Sequence, residues 1–570
     1  MTIFNMLSFL GFTALVAVLS YLWTRDTDED HSDGYFLGGR SLTAPVIAGS
    51  LLLTNLSTEQ IIGLTGQAYN EGILVMAWET LAAIAMVVTA LFLLPRYLKG
   101  GITTVPQFLE ERFDKQTKII TSFLFLTGYV VVFLPIVLYS GALALSTMFS
   151  VPEVLGVTES KALWITVWAI GTVGSMYAIF GGLKAVAVSD TINGIGLFTG
   201  GLLVPAFGLM AIGDGSLMDG VSTLYNANPE KFNAIGSPDS SIPFATIFTG
   251  MMLVQLFYWG TNQAIIQRAL AAKDLKEGQK GLLLASGLKI LGPIIVVLPG
   301  IIAYHLFQGS LEVADQAYPR LVAEVLPPAL LGFFAAVLFG AILSSFNSGL
   351  NSAVTLFGID IYREFFNKHA SDVEVVKAGK KFGILLAIMA MIIAPFIANA
   401  PQGLFGYLQE VNGCYSIPIL TIILVGALTK KVPPIAAKIA LASGVSLYIL
   451  SQFVIKHFYG AEDYPHFLHV MAILFVLNVC IMLWFGYKYP QKTSYVQKDA
   501  QAVDITPWRL AKPVGLLVFI IVVSSYFVFG ANEYLYLLPV IVIIAIAASL
   551  FTSKSGSKKG PEVSPKQVDA

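Results

Sequence analysis

The residues of this sequence that could do chemistry are polar side chains set inside long apolar runs. The run Ser50-Leu-Leu-Leu-Thr-Asn-Leu-Ser-Thr-Glu-Gln-Ile-Ile-Gly63 carries Thr54, Asn55, Ser57, Thr58, Glu59 and Gln60 in one apolar block. A second run, Gln255-Leu-Phe-Tyr-Trp-Gly-Thr-Asn-Gln263, is similar and holds Gly260 as a possible break. A lone carboxylate, Glu79, interrupts a third block, and a lone ammonium, Lys289, interrupts a fourth. Adjacent hydroxyls occur at Ser344 and Ser345. Burying such groups without partners is costly, so their presence asks for a reason. The chemistry open to hydroxyls, amides and carbonyls is recognition of a polar solute or a small cation.

Each feature has a plainer reading beside the functional one. A polar run at mid-span makes a poor continuous helix, and a break there would free backbone carbonyls to coordinate something. Glu79 and Lys289 are candidates for a functional site, for a buried structural ion pair, or, for Lys289, for a side chain reaching to the interface. The serines either bond the carbonyl one turn back or help to hold a cation.

The elements that must position these residues follow from composition. Of 570 residues 56% are hydrophobic and 12% charged, against roughly 25% charged in an average soluble domain. Mean hydropathy is +0.75 and the formal net charge is −1. A soluble globular enzyme, a disordered chain and a nucleic-acid binder are excluded. About fifteen apolar blocks approach the length of a bilayer-spanning helix, among them 3–23, 161–180, 186–212, 281–306 and 533–551. The expected fold is therefore an all-α polytopic membrane protein of about 15 transmembrane helices. The first block lacks a basic leader and a small-residue cleavage site, which reads as a retained helix. With the N-terminus outside, the inner connections hold 29 of the 34 basic residues, Arg268 among them, which places the C-terminus in the cytoplasm.

The Ser50–Gly63 and Gln255–Gln263 runs share a weak echo, Thr58-Glu-Gln-Ile-Ile against Thr261-Asn-Gln-Ala-Ile, and lie in the second and seventh apolar blocks along the chain, five helices apart. That is where an inverted five-helix repeat places equivalent first helices. There is no Gly-x-x-x-x-Gly-Lys-Ser/Thr loop, no long cytoplasmic connection and no His-Glu-x-x-His pair. Primary pumps and membrane metalloproteases are thereby disfavoured, leaving a carrier driven by an ion gradient, or a leak channel. Cys414 and Cys480 both fall in apolar blocks and suggest neither a disulfide framework nor a metal site.

The chain resembles the sodium/solute symporter family, in its sodium/glucose branch, and is similar to bacterial sodium/galactose symporters. The resemblance covers roughly 1–530 and is strongest in Asn55-Leu-Ser-Thr-Glu-Gln-Ile-Ile-Gly63, Phe180-Gly-Gly-Leu-Lys-Ala-Val-Ala-Val-Ser-Asp190, the stretch Tyr258 to Lys273, and Leu298-Pro-Gly300. It implies a core of two inverted five-helix repeats, about 43–212 and 243–428, each opening on a broken helix. Around it lie an N-terminal helix and loop (1–42), additional helices (434–551) and a polar cytoplasmic tail (552–570) in a single transporter domain. The resemblance implies sugar contacts from Gln60, Glu79, Lys289 and Gln409, with Tyr258 as an aromatic inner gate. It implies a sodium site from carbonyls of Leu53, Leu56 and Ala341 with hydroxyls of Ser344 and Ser345, and a sodium exit near Asp190. Two positions depart from the galactose pattern, Gln255 for an Asn and Ala82 for a Ser, both at the expected pocket wall.

The resulting expectation is a sodium-coupled sugar (monosaccharide) symporter working by alternating access in a bacterial inner membrane. Sodium is its cofactor, with no nucleic acid and no obligatory protein partner. The sugar would lie between Gln60, Glu79, Gln255, Lys289 and Gln409 over Tyr258. Other sodium-coupled solutes, such as an inositol, a nucleoside or a sialic acid, remain open alternatives, as does the ion-leak channel. A membrane-embedded enzyme would need a reactive pair, and Glu79 with Lys289 is the sole candidate.

Overall fold

The computed structural model describes residues 3–24, 32–399, 404–460 and 464–530, with positions 539 and 543. The expected last helix, 533–551, and the polar tail, 552–570, lie outside the described residues apart from those two positions.

Helices make up the architecture, and we number those used below in chain order: α1 Ile3–Thr24, α2 Ala44–Asn55, α3 Thr58–Glu71, α4 Ala77–Val88, α5 Val105–Arg112, α6 Lys115–Gly128 and α7 Leu134–Met148. They continue as α8 Glu159–Ile212, α9 Gly250–Gly260, α10 Gln263–Leu270, α11 Leu275–Lys289, α12 Gly292–Phe307, α13 Pro328–Thr355, α14 Asp372–Ile393, α15 Leu404–Leu428, α16 Pro434–Ile449, α17 Phe467–Lys488 and α18 Ala511–Phe529. Among the described residues nine helices are long and apolar enough to cross a bilayer, or ten if the bent pair α11 and α12 is one span. The remaining expected spans differ for a physical reason. Broken spans such as α2 with α3 and α9 with α10 are built from halves shorter than the roughly 20 residues a crossing needs.

α8 departs from expectation. The blocks 161–180 and 186–212 fall within one helical element of 54 residues. At 1.5 Å per residue it would be about 81 Å long if straight, against about 30 Å of hydrocarbon. Gly174 of α8 lies against Phe346 of α13, and Gly200 lies against Phe334, so 26 residues of α8 match 12 of α13. The element therefore bends between these points, and its part Val186–Ile212 is one of the nine candidate spans. Its glycines act as notches: a Cβ at Gly196 would meet Val337 at 2.9 Å, and one at Gly200 would meet Phe334 at 2.7 Å. In a bilayer, where apolar burial drives little association, such close approach is what holds helices together.

Two breaks dominate the core. α2 ends at Asn55, where Leu56 leaves helical geometry (φ −73°, ψ 53°) and Ser57 is extended before α3 begins. α9 ends at Gly260, and Asn262 restarts the chain as α10 by accepting the Ala264 amide on its side-chain oxygen at 3.0 Å. These broken helices open the two inverted repeats. A further break, not anticipated from sequence, bends α11 from α12 by 49° just after Lys289. Pro293 has no amide hydrogen to continue a helix through this point.

Candidate functional site

Where the broken helices face each other they leave a cavity of about 50 Å³. That is room for a few waters only. The α2–α3 break contributes Asn55, Glu59 and Gln60; α9 contributes Gln255 and Tyr258; α15 contributes Phe405, Gln409, Asn412 and Tyr415. Ala82, one of the two positions that depart from the galactose pattern, also lines it, as does the other, Gln255. Four of the six expected solute contacts, Gln60, Gln255, Tyr258 and Gln409, thus share one wall space.

The other two, Glu79 and Lys289, are placed behind that wall. Lys289 Nζ lies 2.5 Å from Glu79 Oε2, and both side chains are fully shielded from solvent. Gln60 joins them, its amide Nε2 donating to Glu79 Oε1 at 2.5 Å. Gln60 is therefore both a cavity residue and a partner of the ion pair. The pair needs close support, because taking two charges out of water is repaid only by tight geometry and extra hydrogen bonds. Gly292, in the α11–α12 bend, makes the room: a Cβ there would stand 2.0 Å from Glu79 Oε2. Gln255 is held at both ends of its amide, donating to Trp78 O at 2.9 Å and accepting from Trp259 Nε1 at 3.2 Å.

The expected sodium residues gather where the end of α2 meets α13. Leu53, Leu56, Ala341, Ser344 and Ser345 are all buried. Ser345 donates its hydroxyl to Thr54 O at 3.1 Å, across to another helix rather than back along its own. Thr54 Oγ1 stands 3.4 Å from Ser344 Oγ and 3.2 Å from Ser348 Oγ. The plainer reading of helix serines holds one step further on, where Ser348 donates to Ser344 O at 2.5 Å. A helix that stops leaves its last carbonyls without helical partners. Carbonyls and hydroxyls together are the donor set a hard monovalent cation takes.

Asp190 adjoins this cluster. Ser50 donates to its Oδ2 at 2.8 Å, and Arg268 donates to Ser50 Oγ from Nε at 2.9 Å while its Nη2 stands 3.8 Å from Asp190. Arg268 also bonds Ser348 Oγ. Arg268, counted in the sequence among the basic residues of the inner connections, is fully buried. The signal was available, since Arg268 lies within one and a half turns of Gln263, where the chain restarts as α10 after the Gly260 break. Asn262, which accepts from Tyr129 Oη at 2.8 Å, and Asn55 beside Glu59 are cavity residues that sequence reasoning did not single out for the solute site.

Broken helices facing each other across a small cavity, with a hydroxyl and carbonyl cluster beside it, are the arrangement of an ion-coupled multi-pass membrane carrier. Residues 35–444 match the Sodium:solute symporter family, and the chain belongs to it. Sodium is accordingly its coupling ion. It is 51% identical over 522 residues to the uncharacterized symporter YidK of Escherichia coli, covering 92% of this chain and 90% of that one. It is 34% identical over 451 residues to the sodium/glucose cotransporter of Vibrio parahaemolyticus, covering 75% and 80%. It is 28% identical to the human sodium/myo-inositol cotransporter 2, covering 81% and 74%. A solved sodium-coupled sialic acid symporter shares its fold with a TM-score of 0.72 at 20% identity, over 86% of this chain and 99% of that one.

Proposed function

We propose that the protein imports a monosaccharide together with sodium by alternating access, with its N-terminus outside and its C-terminus in the cytoplasm of a bacterial inner membrane. The observation that carries the solute class is Gln60, which faces the cavity while bonding a buried Glu79–Lys289 pair. A sugar needs donors and acceptors without net charge. Gln60, Gln255 and Gln409 offer both, and Glu79 and Lys289 neutralise each other. Tyr258 offers an aromatic face to the C–H surface. The names of the Vibrio and human relatives support a polyhydroxylated solute. The human one keeps an inositol as the second reading.

Sodium binds between the α2 end and α13, from carbonyls of Leu53, Leu56 and Ala341 and hydroxyls of Ser344 and Ser345. Its bound state fixes the α2–α3 break, which carries Gln60 into position. The cavity widens to admit the sugar by movement at Tyr258 and Phe405, and Glu79 and Lys289 then become reachable through Gln60. On the inner side Asp190 receives the departing sodium. Coupling is the difference in sodium affinity between the two states.

Uptake of a radiolabelled sugar panel into proteoliposomes under an inward sodium gradient tests this. Sodium-dependent uptake of at least one monosaccharide is expected. Sodium-dependent uptake of a nucleoside or sialic acid, with none of any sugar, overturns the pocket reading.

A further inference from the structure

The backbone segment 103–105 joins two parts of the core that a rocking carrier must separate. On one side it is held by Gln263, the first residue of α10 and so of the inner half of the second broken helix. Gln263 Nε2 donates to Thr103 O at 3.2 Å, and Val105 N donates to Gln263 Oε1 at 2.8 Å. On the other side Thr104 turns its hydroxyl to Asp360, at 2.9 Å from Oδ2 and 3.1 Å from Oδ1. Asp360 also accepts from Ser122 Oγ of α6 at 2.9 Å. Gln263, Thr104, Ser122 and Asp360 are all fully buried.

Asp360 lies on Leu356–Phe366, a π-helical continuation of α13. π winding is rare and recurs at functional sites. One turn further along the same two elements, Lys118 of α6 meets Glu364 at 3.2 Å and Glu110 of α5 at 2.6 Å. The chain thus closes this end of the core in two tiers, a buried one through Thr104 and an outer one through Lys118. α13 is the helix that carries Ser344 and Ser345, so the buried tier runs from the proposed sodium helix to the second broken helix.

We propose that Thr104 and Asp360 are positioning residues of the transport cycle. They hold segment 103–105, and through Gln263 the helix α10, against α6 and the π-helical end of α13, and so keep the inner side of the cavity shut. This rests on the alternating-access reading given above. Removing the Thr104 hydroxyl leaves Asp360 bonded to Ser122, the Lys118 tier intact and α10 still joined to α13 through Gln267 and Arg268, so the chain keeps its fold while the segment that holds Gln263 at the start of α10 is loosened.

The test is amide hydrogen exchange on the full chain in lipid nanodiscs, comparing Thr104→Val, Thr104→Ser and wild type. In Thr104→Val, peptides covering 263–270 should exchange faster by about tenfold, the scale of a lost hydrogen bond to a charged group. Peptides covering 58–71 should not change, and Thr104→Ser should exchange as wild type. A general loss of structure would speed both peptides and would not be rescued by Ser. If Thr104→Val does not fold, Asp360→Asn replaces the charged acceptor of the Thr104 hydroxyl by a neutral amide and should accelerate the same peptides. Wild-type exchange of 263–270 in Thr104→Val, or equal acceleration in Thr104→Ser, overturns the proposal. This measurement needs no solute. Sodium-independent uptake by the wild type would contradict the transport reading and leave the exchange comparison standing.

Discussion

Ser345 and Thr54 are bonded across two helices, hydroxyl to backbone carbonyl at 3.1 Å, at positions 291 apart in sequence. The carbonyl belongs to the last turn before the α2–α3 break and the hydroxyl to the middle of α13. A cation placed between them would take oxygens that now satisfy each other. Ser345→Ala should therefore fold with a loss of only about 1 kcal/mol, the net worth of one hydrogen bond. It should weaken the sodium dependence of uptake by about tenfold or more, one oxygen of the proposed set being gone. A sodium titration of uptake rates checks this; an unchanged half-saturating sodium concentration counts against the assigned site.

The Glu79–Lys289 pair makes a different prediction. Removing one charge strands the other in a buried site, so Lys289→Ala alone should destabilise by about 3–5 kcal/mol. Glu79→Ala with Lys289→Ala leaves no stranded charge and should cost less than the two single losses together. Thermal unfolding in one detergent for the singles and the double measures the coupling. Additive losses would mean that the ion pair is not made.

Gly292→Ala should behave like a pair mutant without touching either charge. Its Cβ would fall 2.0 Å from Glu79 Oε2, so the carboxylate must move. We expect uptake to fall by at least as much as in Gln60→Ala, with sodium binding retained. Wild-type uptake in Gly292→Ala would show that the pair tolerates displacement.

A pH effect is expected at Asp114, which caps α6 and meets Lys438 of α16 at 2.8 Å. Partial burial alone would raise its carboxyl pKa, but the bonds from Lys438 and from the Thr117 amide and hydroxyl outweigh it and hold the value below the ordinary 3.8. A carboxyl depressed on folding stabilises above its unfolded pKa. That contribution is lost as pH falls below about 3.8 and through the folded value. Asp114→Ala should lose about 1 kcal/mol at neutral pH, mainly the cap. Asp114→Asn keeps a capping side chain and should lose less, because the partly exposed ion pair with Lys438 is worth little. The Asp-to-Asn difference in melting temperature should shrink on acidification; a difference that grows would contradict the assigned sign.

Much of the core was legible in the sequence because burial makes polar residues conspicuous. The α2–α3 break follows from Thr54 to Gln60, and Gly260 marks the α9–α10 break. Glu79 and Lys289 stood out singly, and their mutual pairing was one of two plainer readings open for them. What was not legible depends on partners far away in sequence. Arg268 follows the Gln255–Gln263 run closely and was counted with the basic residues of the inner connections; its partners Ser50, Asp190 and Ser348 explain its burial. The bend at Gly292 was invisible to hydropathy because both halves are apolar, although Gly-Pro was the local sign. α8 reads as two blocks because polar residues near 181–191 interrupt its apolarity, while the backbone stays helical through them.

The central claim is that sodium and sugar bind cooperatively to one conformation. Equilibrium binding of a radiolabelled transported sugar to the purified protein, at zero and at saturating sodium, tests it most directly, with potassium holding ionic strength constant. Linkage requires that sodium tighten sugar binding by the same factor as sugar tightens sodium. The account predicts tightening of about tenfold or more, since typical coupling energies span about 1–3 kcal/mol, with Ser345→Ala needing about tenfold more sodium to reach it. Equal sugar affinity with and without sodium would contradict it.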